Sequence, residues 1–231
     1  MKDPVILKYS MPDGSLAADM VRLSGGAFLR VDDAGEPVSE VAVSDFTLGR
    51  YVVTFEQYEC FAKTTDRKLP GACGWSRGSR PIMKVSWYDA TAYALWLSDT
   101  TGENFRLPTE AQWEYACRAG TKTAYSFGEN ITIEQANFNR IKNKTMPVGS
   151  YQANPFGLYE MHGNVWEWCS DWYGKYPPGK VKDPKGPDNG KMRVLRGGSW
   201  FVNASYTRSA SRACDEPGER DHSRGFRLAG G

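Results

Sequence analysis

Glycine and large aromatic side chains set the tightest limit on what this chain can fold into: 24 Gly stand beside 8 Trp and 12 Tyr in 231 residues. Glycine lets the backbone turn at an entropic cost, and flat side chains supply the area that pins such turns in place. The pairing points to a loop-rich domain whose irregular segments are anchored by rings. The length suits one sizeable domain with a real core. With 40% hydrophobic and 24% charged residues, wholesale disorder is excluded. The balance of 29 basic against 27 acidic residues gives no reason to expect a nucleic-acid groove or an anionic membrane partner. No apolar run approaches the roughly 18–20 residues of a membrane helix. The start, Met1-Lys2-Asp3-Pro4-Val5, lacks the apolar core of a secretory signal, so a cytoplasmic location is expected.

The five cysteines (Cys60, Cys73, Cys117, Cys169 and Cys214) are odd in number, widely spaced and without a CxxC pair. A disulfide framework or zinc knuckle does not fit that pattern. His162 and His222 are the only histidines, too few for a three-histidine metal site.

The N-terminal stretch reads as antiparallel strands: Met20–Leu23, Ala27–Val31, and an alternating run from Glu40 to Leu48. Residues 1–19 read as an extension, and the domain proper as 20–231. Three helix starts follow, Thr54-Phe55-Glu56-Gln57, Ser86-Trp87-Tyr88-Asp89 and Thr109-Glu110-Ala111-Gln112, each a hydroxyl three residues before an acid or amide. That spacing predicts a capping box, in which the hydroxyl takes a free N–H of the first turn and the later side chain reaches back. Gly102 and Gly120 mark the ends of the second and third helices. Beyond Gly120 helical periodicity fades, with short strand-like runs at Met192–Leu195 and Phe226–Leu228.

Several segments, taken in order, carry a resemblance. They are Arg106-Leu107-Pro108-Thr109-Glu110-Ala111-Gln112-Trp113-Glu114-Tyr115-Ala116, Asn154-Pro155-Phe156-Gly157-Leu158-Tyr159-Glu160-Met161, Gly163-Asn164-Val165-Trp166-Glu167-Trp168, Arg196-Gly197-Gly198-Ser199-Trp200 and Gly225-Phe226-Arg227. From Met20 to Ala229 the chain resembles the formylglycine-generating enzyme (sulfatase-modifying factor) superfamily. The resemblance implies an α+β, C-type-lectin-like fold with short helices, antiparallel strands and long irregular loops. Fold alone does not decide activity, because this superfamily holds both enzymes and binding proteins.

Its enzymes oxidise a substrate cysteine with two closely spaced cysteines that hold copper(I), shortly after the Gly-Gly-Ser element. Soft thiolates suit that ion. The matching stretch here, Phe201-Val202-Asn203-Ala204-Ser205-Tyr206-Thr207-Arg208, has no cysteine, and Cys214 stands alone. Copper is therefore not expected. The related iron-dependent sulfoxide synthases need three histidines. An enzyme with chemistry that does not use paired copper cysteines stays open, as does a degenerate accessory domain.

Residues 193–229 resemble more closely the variable proteins of diversity-generating retroelements. In those proteins, adenine-directed mutagenesis of asparagine-type codons diversifies a C-terminal ligand-contact surface. Such codons reach Phe, Val, Ser, Tyr, Ala, Cys, Asp and His, but never Trp, Met, Gln, Lys or Glu. The positions the resemblance marks as variable are Phe201, Val202, Asn203, Ser205, Tyr206, Ser211, Ala213, Cys214, Asp215, Asp221, His222 and Ser223, all in the reachable set. It implies a non-catalytic protein whose partner is a protein or other macromolecule. Trp200, Arg208, Arg212, Pro217, Arg220, Phe226 and Arg227 would be the pegs. The mixture of aromatic and small polar residues between them is that of an antibody paratope, with Phe201 and Tyr206 as the strongest anchors. The plainer alternative ends a strand at Phe201 and Val202 and leaves His222 as a solvated loop residue. The resemblance also implies structural calcium near Asn137, Asn164 and Glu167, whose oxygens could equally serve only to hydrogen-bond loop backbone.

Overall fold

The computed structural model describes residues 4–32 and 35–231. Five strands come first: β1 (Val5–Ser10), β2 (Leu16–Leu23), β3 (Gly26–Val31), β4 (Pro37–Val43) and β5 (Phe46–Gly49). Helices α1 (Phe55–Thr64) and α2 (Trp87–Thr101) follow, then β6 (Phe105–Arg106) and α3 (Glu110–Arg118). The C-terminal half holds β7 (Trp166–Trp172), β8 (Gly179–Lys182), β9 (Arg193–Arg196), β10 (Arg212–Asp215), β11 (Arg224–Gly225) and β12 (Ala229–Gly230), with a 3₁₀ turn at Ala204–Thr207.

All three expected capping boxes form. Thr54, Ser86 and Thr109 each accept the N–H three residues on, and Gln57, Asp89 and Gln112 return the bond to the cap backbone. Gly102 closes α2 in the left-handed region at φ 76°. Helix α3 stops at Arg118, two residues before Gly120, with the capping Ala119 left-handed at φ 47°.

The strands form three sheets, ordered β1-β2-β5-β12-β6, β10-β9-β7-β11 and β3-β4-β8. The pairings are antiparallel except β7 with β11 and β4 with β8. Two expectations need correction. The proposed N-terminal extension is part of the fold over residues 5–19: β1 pairs with β2 from Val5↔Arg22 onward, and the boundary at 19/20 cuts through β2. The run from Glu40 to Leu48 is two strands in different sheets, interrupted at Ser44, whose N–H and hydroxyl both donate to Asp183.

Strand β2 separates two cores. Met20 packs on the α1–α2 side with Phe55, Phe61, Tyr93 and Phe226, while its neighbour Val21 packs on the α3 side with Val43 and Trp113. Opposite faces for consecutive residues are what a strand's period of two requires. Strand β12 lies between β5 and β6, with Ala229 opposite both Leu48 and Arg106. The last strand thus occupies the middle of the sheet that the first strands begin. No helix among the described residues is long and apolar enough to cross a membrane.

Candidate binding site

Strand β9 delivers the chain to the segment that the resemblance implies is variable. Its last residue, Arg196, is fully buried. One side of its guanidinium bonds Glu114 of α3 at 2.8 Å. The same group donates to the carbonyls of Ser209, Ala210 and Ser211 at 2.8, 3.0 and 2.6 Å. One side chain therefore ties the start of the segment, its middle and α3 together. Glu114 also binds Arg118, at 2.8 Å, and Arg30, at 3.3 Å. Glu110 takes Arg212 of β10 in a two-pronged pair at 2.7 and 2.8 Å. Burial alone would raise the Glu110 carboxyl, but Arg196 and Arg212 outweigh it and hold it below the usual range. Burial likewise opposes the Arg196 charge, and Glu114, Tyr176 and Glu110 reverse that and raise it.

After Arg196, Gly197 and Gly198 turn the chain at φ 95° and 75°. A Cβ on Gly198 would fall 2.5 Å from Cγ2 of Thr207, so only glycine fits this turn. The loop that follows is held by its carbonyls. Arg140 N–H donates to Trp200 O and Asn139 N–H to Val202 O, at 2.7 and 2.6 Å. Tyr125 OH donates to Ala204 O at 2.8 Å. Ser126 N–H donates to His162 Nε2, so the ring proton sits on Nδ1 and goes to Thr207 O, 2.8 Å away. Farther on, Trp87 N–H takes Pro217 O, Lys84 N–H takes Asp221 O, and Trp166 N–H takes Ser223 O.

On this backbone the expected ligand-contact residues divide. Asn203, Ser205 and Tyr206 are exposed, Tyr206 by 52%. Phe201, Val202 and His222 are half-buried, and Phe201 stacks on His222 with centroids 5.6 Å apart at 17°. Trp200 sits edge-on to both rings, so the 201 and 222 loops meet over it. Ala213, Cys214 and Asp215 lie half-buried on β10, the edge strand of its sheet. Asp215 is ion-paired with Arg224.

Two residues of the set are misplaced by sequence reasoning. Ser211 is only 5% exposed and donates its hydroxyl to Ser205 O; Ser223 is 2% exposed and bonds the Asp221 carboxylate. Asp221 accepts from the Ser223 N–H as well, and Asn203 accepts from the Ser205 N–H, so these two also shape their own turns. Sequence reasoning missed Arg196, Glu110 and Glu114 as the framework. The i,i+4 spacing of Glu114 and Arg118 was the one visible signal.

The residues proposed for calcium do not suit it. Glu167 gives both oxygens to Arg227, at 2.6 and 2.7 Å, and one also to Trp113 Nε1 at 2.7 Å. The Asn164 amide is committed to Met146 through both its oxygen and its nitrogen. Asn137 donates to Asn164 at 3.2 Å and keeps a buried oxygen without a partner. A carboxylate already neutralised by a buried arginine is a poor ligand for a hard dication, which wants six to eight oxygens. In this fold Glu167 ties down the C-terminus by binding Arg227.

Neither of the two buried cysteines is poised as a nucleophile. Cys117 Sγ lies 3.8 Å from the His162 ring, but burial pushes the thiol up to about 12 and the imidazole down to about 4. A thiolate–imidazolium pair needs the opposite shifts. Burial also raises the Cys169 thiol well above its ordinary value. Among the described residues no group of three His, Cys, Asp or Glu side chains is arranged for a metal. A concavity of about 400 Å³ between β2 and α1 is lined by none of the expected contact residues.

The sulfatase-modifying factor enzyme 1-like domain matches residues 9–230. This chain belongs to that family. Of its relatives, serine/threonine-protein kinase pkn1 of Chlamydia caviae is 36% identical over 268 residues, covering 100% of this chain and 42% of its own. The chain thus spans less than half of that relative. The formylglycine-generating enzyme of Streptomyces coelicolor is 33% identical, covering 90% of this chain and 88% of its own. Among solved structures, Treponema denticola variable protein 1 superposes with a TM-score of 0.85 at 28% identity, covering 98% of this chain and 99% of that one. The α+β, lectin-like architecture of the sulfatase-modifying factor family is therefore the fold of this protein.

Proposed function

We propose that this protein is a non-catalytic binding module that displays exchangeable side chains, on the loops from Phe201 to His222, to a protein partner. The observation that carries the reading is the way those loops are held. Their carbonyls are bound by Arg196, His162, Tyr125 and the backbone of residues 84, 87, 139, 140 and 166, none of which belongs to the displayed set. A carbonyl is the same whatever side chain its residue carries, so substitution at 201, 202 or 206 leaves the scaffold's bonds in place. The likeness to a variable protein over the whole chain supports it. Five free cysteines fit a reducing cytoplasm, where we place it.

Resequencing many copies of the gene tests the proposal. Amino-acid changes should concentrate at 201–203, 205, 206, 213–215, 221 and 222, and arise from adenines in asparagine-type codons. Changes spread evenly along the gene would overturn it. The 33% identity to a formylglycine-generating enzyme supports a second reading, an enzyme without the paired copper cysteines. Turnover of a cysteine-containing peptide, abolished by a single active-site substitution, would establish that reading instead.

A further inference from the structure

Beside the displayed loops lies a pocket of about 350 Å³ that none of the expected contact residues lines. Its rim carries Arg67 and Lys68 from the turn after α1, Lys84 ahead of α2, and Arg220, against a single carboxylate, Asp89. Asp89 is already engaged, chiefly through Oδ2. It accepts from the Ser86 N–H and hydroxyl, holds Arg220 at 2.8 Å, and has Arg67 at 3.7 Å. Glu216 and Glu219 stand in the neighbouring turn but do not line the pocket. Among the described residues, Lys68 and Lys84 have no carboxylate partner. Lys84 is half-buried and fixed at φ 58° by a backbone that bonds Asp221 O. An ammonium held at a concave site keeps more of its field than one on open surface.

We propose that this pocket is a fixed subsite for an acidic peptide segment of the partner, with Lys68 and Lys84 receiving its carboxylates. The walls favour a peptide over a small inorganic anion: Tyr58, Leu69 and Pro70 offer apolar surface for side-chain stems beside the charges. The volume also exceeds what one phosphate fills. The Lys84–Asp221 bond joins the subsite to the His222 loop, so a ligand on the displayed face has the subsite within reach. A constant anchor beside a changeable surface would let binding survive while specificity shifts. The inference rests on the binding reading only for its partner, because the pocket's residues lie outside the displayed set.

The test is titration of the full chain with fluorescent hexaglutamate, with hexaglutamine as the neutral control. Hexaglutamate should bind, weaken with added salt as exposed charge pairs do, and lose at least fivefold in affinity in the Lys68→Gln/Lys84→Gln variant. The charge-matched variant Lys8→Gln/Lys122→Gln, at exposed lysines that do not line the pocket, should bind it unchanged. Absence of hexaglutamate binding, equal binding by the lysine variant, or displacement by inorganic phosphate at concentrations below the peptide's own overturns the inference. None of these results bears on the resequencing pattern, so the two proposals fail separately. Thermal unfolding of the lysine variant, expected within ~2 °C of the parent, shows that a lost affinity is not a lost fold.

Discussion

At the scale of single residues, charge is what this fold buries with most care. Arg196 meets Glu114 and three carbonyls with no solvent exposure, and Arg227 meets Glu167 in the same way. Removing one partner leaves the other charged and desolvated, which typically costs about 3–5 kcal/mol. We expect Arg196→Met to lose stability of that order in urea unfolding, and to loosen residues 209–211 in hydrogen exchange. The surface behaves oppositely. Tyr206→Ala removes a side chain that is half in water, so its unfolding free energy should change by about 0.5 kcal/mol or less. A much larger loss would put the ring in the core and remove it from the display.

Residue-level chemistry also fixes a pH response. Burial lowers the His162 imidazole to about 4, so between pH 6.5 and 4 the unfolded chain binds the extra proton and the folded one does not. Stability from neutral His162 is therefore complete above pH 6.5 and lost as pH falls toward 4. Burial raises Glu160 to about 7 and Asp171 to about 6, and these work the other way, favouring the fold as they protonate. Comparison with His162→Gln cancels those opposing groups. The parent's advantage over the variant should be largest above pH 6.5 and shrink by about 3 kcal/mol by pH 4. A pH-independent difference would show that folding leaves the His162 imidazole at its ordinary value and would overturn the burial argument.

At the scale of elements, the local signals were readable and the long-range ones were not. The capping boxes at Thr54, Ser86 and Thr109 each span four residues, so sequence alone determines them. Ser86→Ala should cost about 1 kcal/mol, read from the midpoint of thermal unfolding. Strand β1 was hidden because it is an edge strand with no fully buried residue, which leaves little alternation to see. Strand β12 has two residues, too few for any period. Ser211 and Ser223 were read as displayed because a serine carries no mark of burial; the carbonyl or carboxylate it meets decides that. Glu167 looked like a metal ligand until the fold set Arg227, distant in sequence, against it. Gly198 is the element-scale hinge. Gly198→Ala, strained at φ 75° and pressed on Thr207, should lose about 1–3 kcal/mol in equilibrium unfolding.

For the molecule as a whole, the proposed display is separate from the packing that holds the fold. The loops from Phe201 to His222 are clamped by α3, β9, and the backbone around residues 84–87 and 139–140. Neither hydrophobic core draws a fully buried side chain from Phe201, Asn203, Ser205, Tyr206 or His222. Rigid support beneath adaptable contacts is the arrangement that keeps a paratope from losing affinity to its own ordering.

Strand β12 gives this separation a genetic edge. The chain must read through every displayed codon before it makes Arg227 and the stave that fits between β5 and β6. A frameshift or stop codon introduced anywhere in the loops would scramble or omit that stave. The protein would then be left with a split sheet and an orphaned Glu167. If the loops vary as proposed, only in-frame versions can mature, and the architecture itself screens each new sequence of the loops.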